Sequence, residues 1–321
     1  MGHQYNTFIL INITITKLAL LGAAGQIGTP LSLLAKSSDL FDEISPHDLV
    51  HTPGIATDLN HIGTRAKVSG FLAKDGGLTK ALEGADIVVV TAGIARKPGM
   101  TRDGIIYDIF TEVAKTSPNA VSCVVTNPVN STAPVAAKAL RKGGAFDPTH
   151  LFGVTSLDVV RASTFISHAL GGNPDPGSFK VPVIGGHSGT TILPLYKTGT
   201  GVQFGGDEIA ESKQGAGSAT TCMAYAGFRF VKALLSAQAG QTVTEEAYVY
   251  LPGIPGGKDI AERLGVDYFA VKILLGASGA AKVLDFGELS ENEQKLLEVA
   301  LKDLKVNIQD GQAFEASKEM R

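Results

Sequence analysis

The stretch LALLGAAGQIG, residues 18–28, decides how the first half of the chain is read. A run of aliphatic residues of strand length is followed by three glycines, Gly22, Gly25 and Gly28. In a strand–turn–helix that binds a dinucleotide, the first glycine permits the tight turn. The second lets backbone approach a pyrophosphate, and the third lets helix and strand pack closely. The helix N-terminus then presents unpaired amides and partial positive charge to the phosphates. The same glycines also suit a small-residue helix start with no ligand. The spacing is G-x-x-G-x-x-G rather than G-x-G-x-x-G, so the surroundings must decide.

Those surroundings alternate strand and helix. Residues 17–21, 87–91 and 121–126 are aliphatic runs that read as buried parallel strands, with 43–49 and 68–72 as weaker ones. Helical patterns cover 27–37, 104–116 and 131–142. The alternation predicts a Rossmann-type, doubly wound parallel α/β sheet. After about residue 153 the pattern changes. SLDVVRASTFISHAL reads as a helix, FKVPVIGG as a strand and 217–237 as a long helix, while 243–251, 268–275 and 280–284 read as antiparallel strands. A terminal helix runs from Ser290, its N-cap, to about Asp310, with Glu293 completing a capping box. The expected division is an extension over 1–16, a dinucleotide-binding domain over 17–153 and an α+β catalytic domain over 154–321.

Composition narrows the function classes. The chain has 321 residues and a net charge of −3, which offers nothing to nucleic acid or to an anionic membrane surface. Its two cysteines, Cys123 and Cys222, are far apart, which argues against a disulfide framework or a zinc site and for no metal. No apolar run reaches the roughly 18 residues of a membrane span. Residues 1–16 hold no lysine or arginine, unlike a basic presequence, and the chain ends in KEMR rather than S-K-L. The compartments expected are cytoplasm or mitochondrial matrix, leaning to the cytoplasm.

Four groups of polar residues stand out. Asp48 ends the second strand, where a carboxylate would accept hydrogen bonds from ribose hydroxyls and repel a 2′-phosphate, although it also suits a solvated turn. Pro46 is awkward in that strand, because it lacks a ladder donor. Of only eight arginines, Arg96 and Arg102 share the loop AGIARKPGMTR, placed to clamp carboxylates. Asp158 and Arg161 are three apart on one helix face, where an intrahelical ion pair is the default reading. His187 follows a strand in VIGGHSG and could offer one ring nitrogen to a substrate while a carboxylate holds the other.

Taken together, GAAGQIG, ARKPGMTR, VTNPVNS, FGVTSLDVVR, VPVIGGHSGTTILPL and GAGSATTCMAYAG resemble the NAD-dependent malate dehydrogenases of the bacterial and mitochondrial or peroxisomal type. The motifs fall in family order from Lys17 to the C-terminus. The resemblance implies NAD as cofactor, a dicarboxylate substrate and a homodimer. It implies His187 as proton acceptor and donor, oriented by Asp158. Arg161 would bind the carboxylate beside the reacting carbon, and Arg96 and Arg102 would grip the reacting end and the far carboxylate, Arg102 from a mobile loop. Asn127 would contact substrate near the nicotinamide. Gly22, Ala23, Ala24, Gly25, Gln26, Ile27, Gly28, Asp48, Val125, Thr126, Asn127 and Met223 would line the cofactor.

The chain also departs from the family. About two helical turns are missing after Asp103, and about four in ILPLYKTGTGVQFGGDE. The first shortening removes an asparagine that usually contacts NAD and leaves a shorter anchor for the Arg102 loop. A catalytically weak or inactive homologue that still binds NAD or a partner therefore stands as the alternative. A short-chain dehydrogenase reading of YFAVK, residues 268–272, places its Y-x-x-x-K too late in the chain.

Overall fold

The computed structural model describes residues 16–93, 101–196, 212 and 219–315. Arg96, the first 15 residues and most of the second shortened segment lie outside them. The first half runs β1 (Lys17–Leu21), α1 (Gly28–Lys36), β2 (Glu43–Asp48), α2 (Thr52–Leu59), β3 (Lys67–Val68), β4 (Phe71–Leu72), α3 (Gly77–Leu82), β5 (Ile87–Val90), α4 (Arg102–Thr116), β6 (Val121–Val124), α5 (Val129–Lys142) and β7 (Leu151–Val154). The second half runs α6 (Ser156–Ala169), β8 (Val183–Gly185), β9 (Ile192–Pro194), α7 (Thr221–Gln238), β10 (Val243–Tyr250), α8 (Gly257–Leu264), β11 (Tyr268–Gly276), β12 (Gly279–Val283) and α9 (Glu291–Ala313).

One sheet joins both halves in the order β3-β2-β1-β5-β6-β7-β10-β11-β8-β9, with β4 beside β2 and β12 beside β11. The run from β3 to β7 is parallel, and its strand order reverses between β1 and β5. A crevice at the carboxyl ends of the strands forms at such a reversal. Beyond β7 the pairing turns antiparallel, with Ala247 opposite Val154 and Tyr248 opposite Gly153. The parallel strands are apolar on both faces because helices cover both. Leu18, Leu20, Ile87, Val88 and Val124 are all buried in a core continuous across the halves. A second, smaller cluster of Val159, Ala162, Val181, Val183 and Ile192 ties α6 to β8 and β9.

Several expectations need correction. The run 68–72 is broken into the two short strands β3 and β4, and this break resolves Pro46. Ile44 and Asp48 turn their carbonyls outward to Ser69 and Ala73, each at 3.0 Å. Pro46 shares that outward side, so its missing N–H falls in the gap between β3 and β4. The run 121–126 leaves the sheet after Val124. The helix expected over 104–116 begins two residues earlier, because the Thr101 side chain accepts the Gly104 N–H at 3.1 Å and caps it. The helix expected from 217 begins at Thr221. The terminal capping box is as expected: Ser290 N–H donates to Glu293 Oε2 at 2.8 Å.

Close packing of α1 on β1 depends on Gly28. A Cβ there would lie 2.1 Å from the Gly22 carbonyl oxygen. Gly28→Ala is expected to destabilise the fold by about 1–3 kcal/mol, the usual cost of overpacking. Urea unfolding measures this, and an unchanged midpoint would show that the contact relaxes freely.

Candidate active site

The glycine turn is held from the next strand. Gly22 has φ +90°, a left-handed conformation that glycine tolerates. Its N–H and that of Ala23 both donate to the His47 carbonyl, at 2.9 and 3.1 Å. Asp48 then accepts the Ala24 N–H on Oδ2 at 2.9 Å and the Leu49 N–H on Oδ1 at 2.6 Å. The solvated-turn reading of Asp48 is therefore replaced by a carboxylate bound to the turn itself, each oxygen keeping a lone pair for a further donor. Gly25 and Gln26 are exposed and Ile27 is half-buried. Among the described residues no side chain caps α1; Thr29 N–H donates to the Gly25 carbonyl at 3.0 Å and Pro30 has no N–H, which leaves the Gly28 amide as the first-turn donor for an anion.

The remaining candidates for the cofactor side converge on the same crevice. Val125 and Thr126 leave the end of β6, with Thr126 Oγ1 donating to the Ala92 carbonyl at 2.8 Å. Met223 is buried on α7, which packs against α1. Asn127 is exposed at the start of the next turn, and its carbonyl accepts Arg102 Nη1 at 3.2 Å. Arg102 does not ride on a loop but is the first residue of α4. The chain beside it carries Asp103, whose carboxyl burial pushes above the ordinary range. The nearby Ser131 hydroxyl opposes that shift, and Asp310 adds to it.

On the other side of the crevice, Asp158 lies in the first turn of α6 and His187 directly after β8. His187 Nδ1 and Asp158 Oδ2 are 2.5 Å apart, with His187 8% exposed and Asp158 fully buried. Asp158 thus pairs with the histidine, and the expected Asp158–Arg161 ion pair does not occur among the described residues. Asp158 Oδ1 and Arg161 Nη2 are both buried without a hydrogen-bond partner among those residues. An unpaired buried guanidinium N–H is costly unless an acceptor reaches it. A planar guanidinium one helical turn from Asp158 can take a carboxylate, and the histidine that Asp158 holds by Nδ1, with no hydrogen bond to Nε2 among the described residues, can exchange a proton there. The rival Y-x-x-x-K pair forms no such site: Tyr268 and Lys272 lie along β11, and Lys272 pairs with Glu246 at 3.5 Å.

Two features were not read from the sequence. Asn130, fully buried at the start of α5, accepts the His187 N–H on Oδ1 at 2.8 Å. A polar residue opening an alanine-rich helix, three positions after Asn127, was the available signal. His47 is the other. Its ring Nε2 is buried without a partner among the described residues, and burial holds its pKa below the usual 6.5, against the opposing pull of Asp48. The unfolded chain therefore takes up this proton at a higher pH than the folded one. Stability should fall as pH drops below about 6.5 toward the folded pKa, with a slope of up to about 1.4 kcal/mol per pH unit from this one proton. His47→Phe should flatten this part of a denaturant-midpoint-against-pH profile. A variant profile parallel to the parent's would remove His47 as the source.

Comparison with known proteins places this geometry. Residues 16–153 match the family model of the lactate/malate dehydrogenase NAD binding domain, and residues 155–315 that of the lactate/malate dehydrogenase alpha/beta C-terminal domain. The chain is 44% identical over 321 residues to the mitochondrial malate dehydrogenase of Schizosaccharomyces pombe, covering 94% of this chain and 92% of that protein. It is 42% identical over 320 residues to the mitochondrial malate dehydrogenase of Caenorhabditis elegans, covering 93% and 90%. Among solved structures, the apo malate dehydrogenase from Picrophilus torridus superposes with a TM-score of 0.78 at 25% identity, covering 93% of this chain and 98% of that one. The malate dehydrogenase of Cryptosporidium parvum gives 0.76 at 26% identity, covering 94% and 100%. A parallel sheet reversing beside a glycine turn, a buried histidine–aspartate contact and full-length relatives agree: the chain belongs to the lactate/malate dehydrogenase family.

Proposed function

We propose that this protein interconverts malate and oxaloacetate with NAD, and that His187 is its proton-transfer group. The observation that carries the proposal is the 2.5 Å contact of His187 with a fully buried Asp158, one helical turn from Arg161, whose buried Nη2 has no partner among the described residues. Asp158 occupies Nδ1 and leaves Nε2 to exchange a proton with the substrate hydroxyl. When Nε2 takes that proton the ring becomes cationic, and the Asp158 carboxylate offsets the new charge. In the reverse direction the same nitrogen returns the proton to the oxygen of oxaloacetate. Arg161 receives the carboxylate next to the reacting carbon through its planar fork. Arg102, held against Asn127 at the mouth of the site, serves the other end of a dicarboxylate, with Arg96 assigned to the same task by family resemblance.

The chain fits a dinucleotide. No described side chain caps α1, leaving the Gly28 amide at its start, the turn exposes Gly25 and Gln26, and Asp48 stands at the end of β2. We assign Gly22, Ala23, Ala24, Gly25, Gln26, Ile27 and Gly28 to the pyrophosphate side, Asp48 to the ribose, and Val125, Thr126, Asn127 and Met223 to the nicotinamide side. NAD supplies the hydride acceptor for malate oxidation when bound. The Asp48 charge disfavours a 2′-phosphate, so NADH is the preferred form over NADPH.

The alternative of an inactive homologue has no observation in its favour: the relatives matched over nearly their full length are malate dehydrogenases, and His187 and Asp158 are in contact. We also propose a homodimer, as family resemblance implies. Leu49, Val50 and Tyr225 are large apolar side chains left exposed on the single chain, and sedimentation at monomer mass would refute the assembly. No described helix is long and apolar enough to cross a membrane. The Schizosaccharomyces pombe and Caenorhabditis elegans relatives are mitochondrial, which gives the cytoplasmic lean no support, and of the two compartments we favour the matrix.

His187→Asn should leave NADH binding nearly intact and lower oxaloacetate turnover by a factor on the order of 100 to 10,000, the range of general acid–base catalysis. Steady-state NADH oxidation together with fluorescence titration checks both halves. A loss of less than about tenfold would remove His187 from the proton transfer.

A further inference from the structure

The backbone of His187 is fixed by a chain of hydrogen bonds that reaches the terminal helix. Asn130 Oδ1 accepts the His187 N–H at 2.8 Å. A backbone amide can only donate, so this bond decides which end of the Asn130 side chain faces the histidine. The Nδ2 end then faces Asn307 Oδ1 at 3.0 Å, Ser188 Oγ at 2.9 Å and Thr191 Oγ1 at 3.1 Å. Thr191 Oγ1 gives its proton to the Ser188 carbonyl at 2.7 Å, so it and the Asn307 oxygen both accept from the NH2 end. Asn307 is therefore the contact through which the terminal helix, together with Thr191, supports the Asn130 orientation that His187 needs.

The surroundings are built for this relay. The Asn130 carbonyl is held by the Tyr248 hydroxyl at 3.2 Å. Gly186, immediately before His187, leaves room for the amide: a Cβ there would lie 2.6 Å from both Asn130 Oδ1 and Thr191 Oγ1. One turn before Asn307, Asp303 accepts a hydrogen bond from Thr190, so α9 holds the histidine loop once directly and once through Asn130. Neither Asn130 nor Asn307 has a place in the chemistry proposed above.

We propose that Asn307, on the terminal helix α9, is a positioning residue that acts through Asn130 to hold His187 against its substrate. The proposal rests on His187 as the proton-transfer group. Displacement of a reacting group by about 1 Å can lower a rate by roughly a hundredfold. Loss of one hydrogen bond in a relay that retains Ser188 and Thr191 should cost less.

The test compares Asn307→Leu with Asn307→Asp in the full chain. Asn130 is buried and its variants risk misfolding, whereas Asn307 is half-buried on a long helix. Asn307→Leu should lower kcat about tenfold, change the oxaloacetate KM less than about twofold, and raise the primary deuterium isotope effect with deuterated NADH. Asn307→Asp keeps the acceptor oxygen and should recover most of kcat. In the unliganded protein, the downfield proton of the His187–Asp158 contact, assigned by its loss in His187→Asn, should shift or broaden in Asn307→Leu alone. An unchanged kcat and resonance in Asn307→Leu would overturn the proposal. So would a loss of kcat that Asn307→Asp does not recover. Full activity of His187→Asn would instead refute the reading of His187, while the resonance still reports on the relay.

Discussion

The contact between His187 and Asp158 is the constraint on which the rest of the structure depends. A carboxylate with no exposed surface is costly in a protein interior unless a charged or hydrogen-bonding partner meets it. Its one hydrogen-bonding partner among the described residues is the histidine ring. Removing one member of such a buried pair typically costs about 3–5 kcal/mol. The pair forms only if α6 and β8 keep their relative positions. That is secured by the small apolar cluster between them and by the sheet, which carries β8 through β11 and β10 back to β7. The antiparallel extension is thus the frame that sets a histidine from one half of the chain beside the crevice of the other.

Arg161 is the second unusual group on this wall. Three residues after Asp158 on one helix face, it would ordinarily share the aspartate. It does not: among the described residues both Asp158 Oδ1 and Arg161 Nη2 are buried without a partner. The arrangement leaves a site for an anion beside a proton-exchanging nitrogen, and for that reason a hydroxy-acid dehydrogenase is the function these residues support. On the opposite wall the glycine turn achieves a comparable result with backbone alone. His47 and Asp48 hold its amides from the neighbouring strand while the start of α1 is left uncapped.

Much of this was legible in the sequence for identifiable reasons. Aliphatic runs such as residues 87–90 can only be buried strands in an α/β sheet, and Ser290 with Glu293 announces a helix start through local chemistry. The glycine turn was legible because its spacing and its aliphatic strand are both local. The partner of Asp158 was not legible by the same route. Helical spacing favours Arg161, and only the fold brings His187 from 29 residues away. Pro46 looked like an objection to β2 until the break between β3 and β4 showed where its missing donor falls. Arg102 was expected on a loop because Pro98 and Gly99 precede it, yet Thr101 caps a helix that begins at Arg102 itself. The Asn130–Asn307 contact spans 177 residues, and no local pattern marks Asn307 on an ordinary amphipathic helix.

The central claim is that one substrate carboxylate meets Arg161 while the adjoining hydroxyl meets His187 Nε2. A crystal structure of the protein with NAD and hydroxymalonate, a non-reactive dicarboxylate, tests it most directly. The account predicts a carboxylate paired to Arg161 Nη2 and the hydroxyl oxygen within hydrogen-bond distance of His187 Nε2, with Nδ1 still on Asp158. A well-ordered ligand that leaves Arg161 unpaired, or that sits away from Nε2, would contradict it.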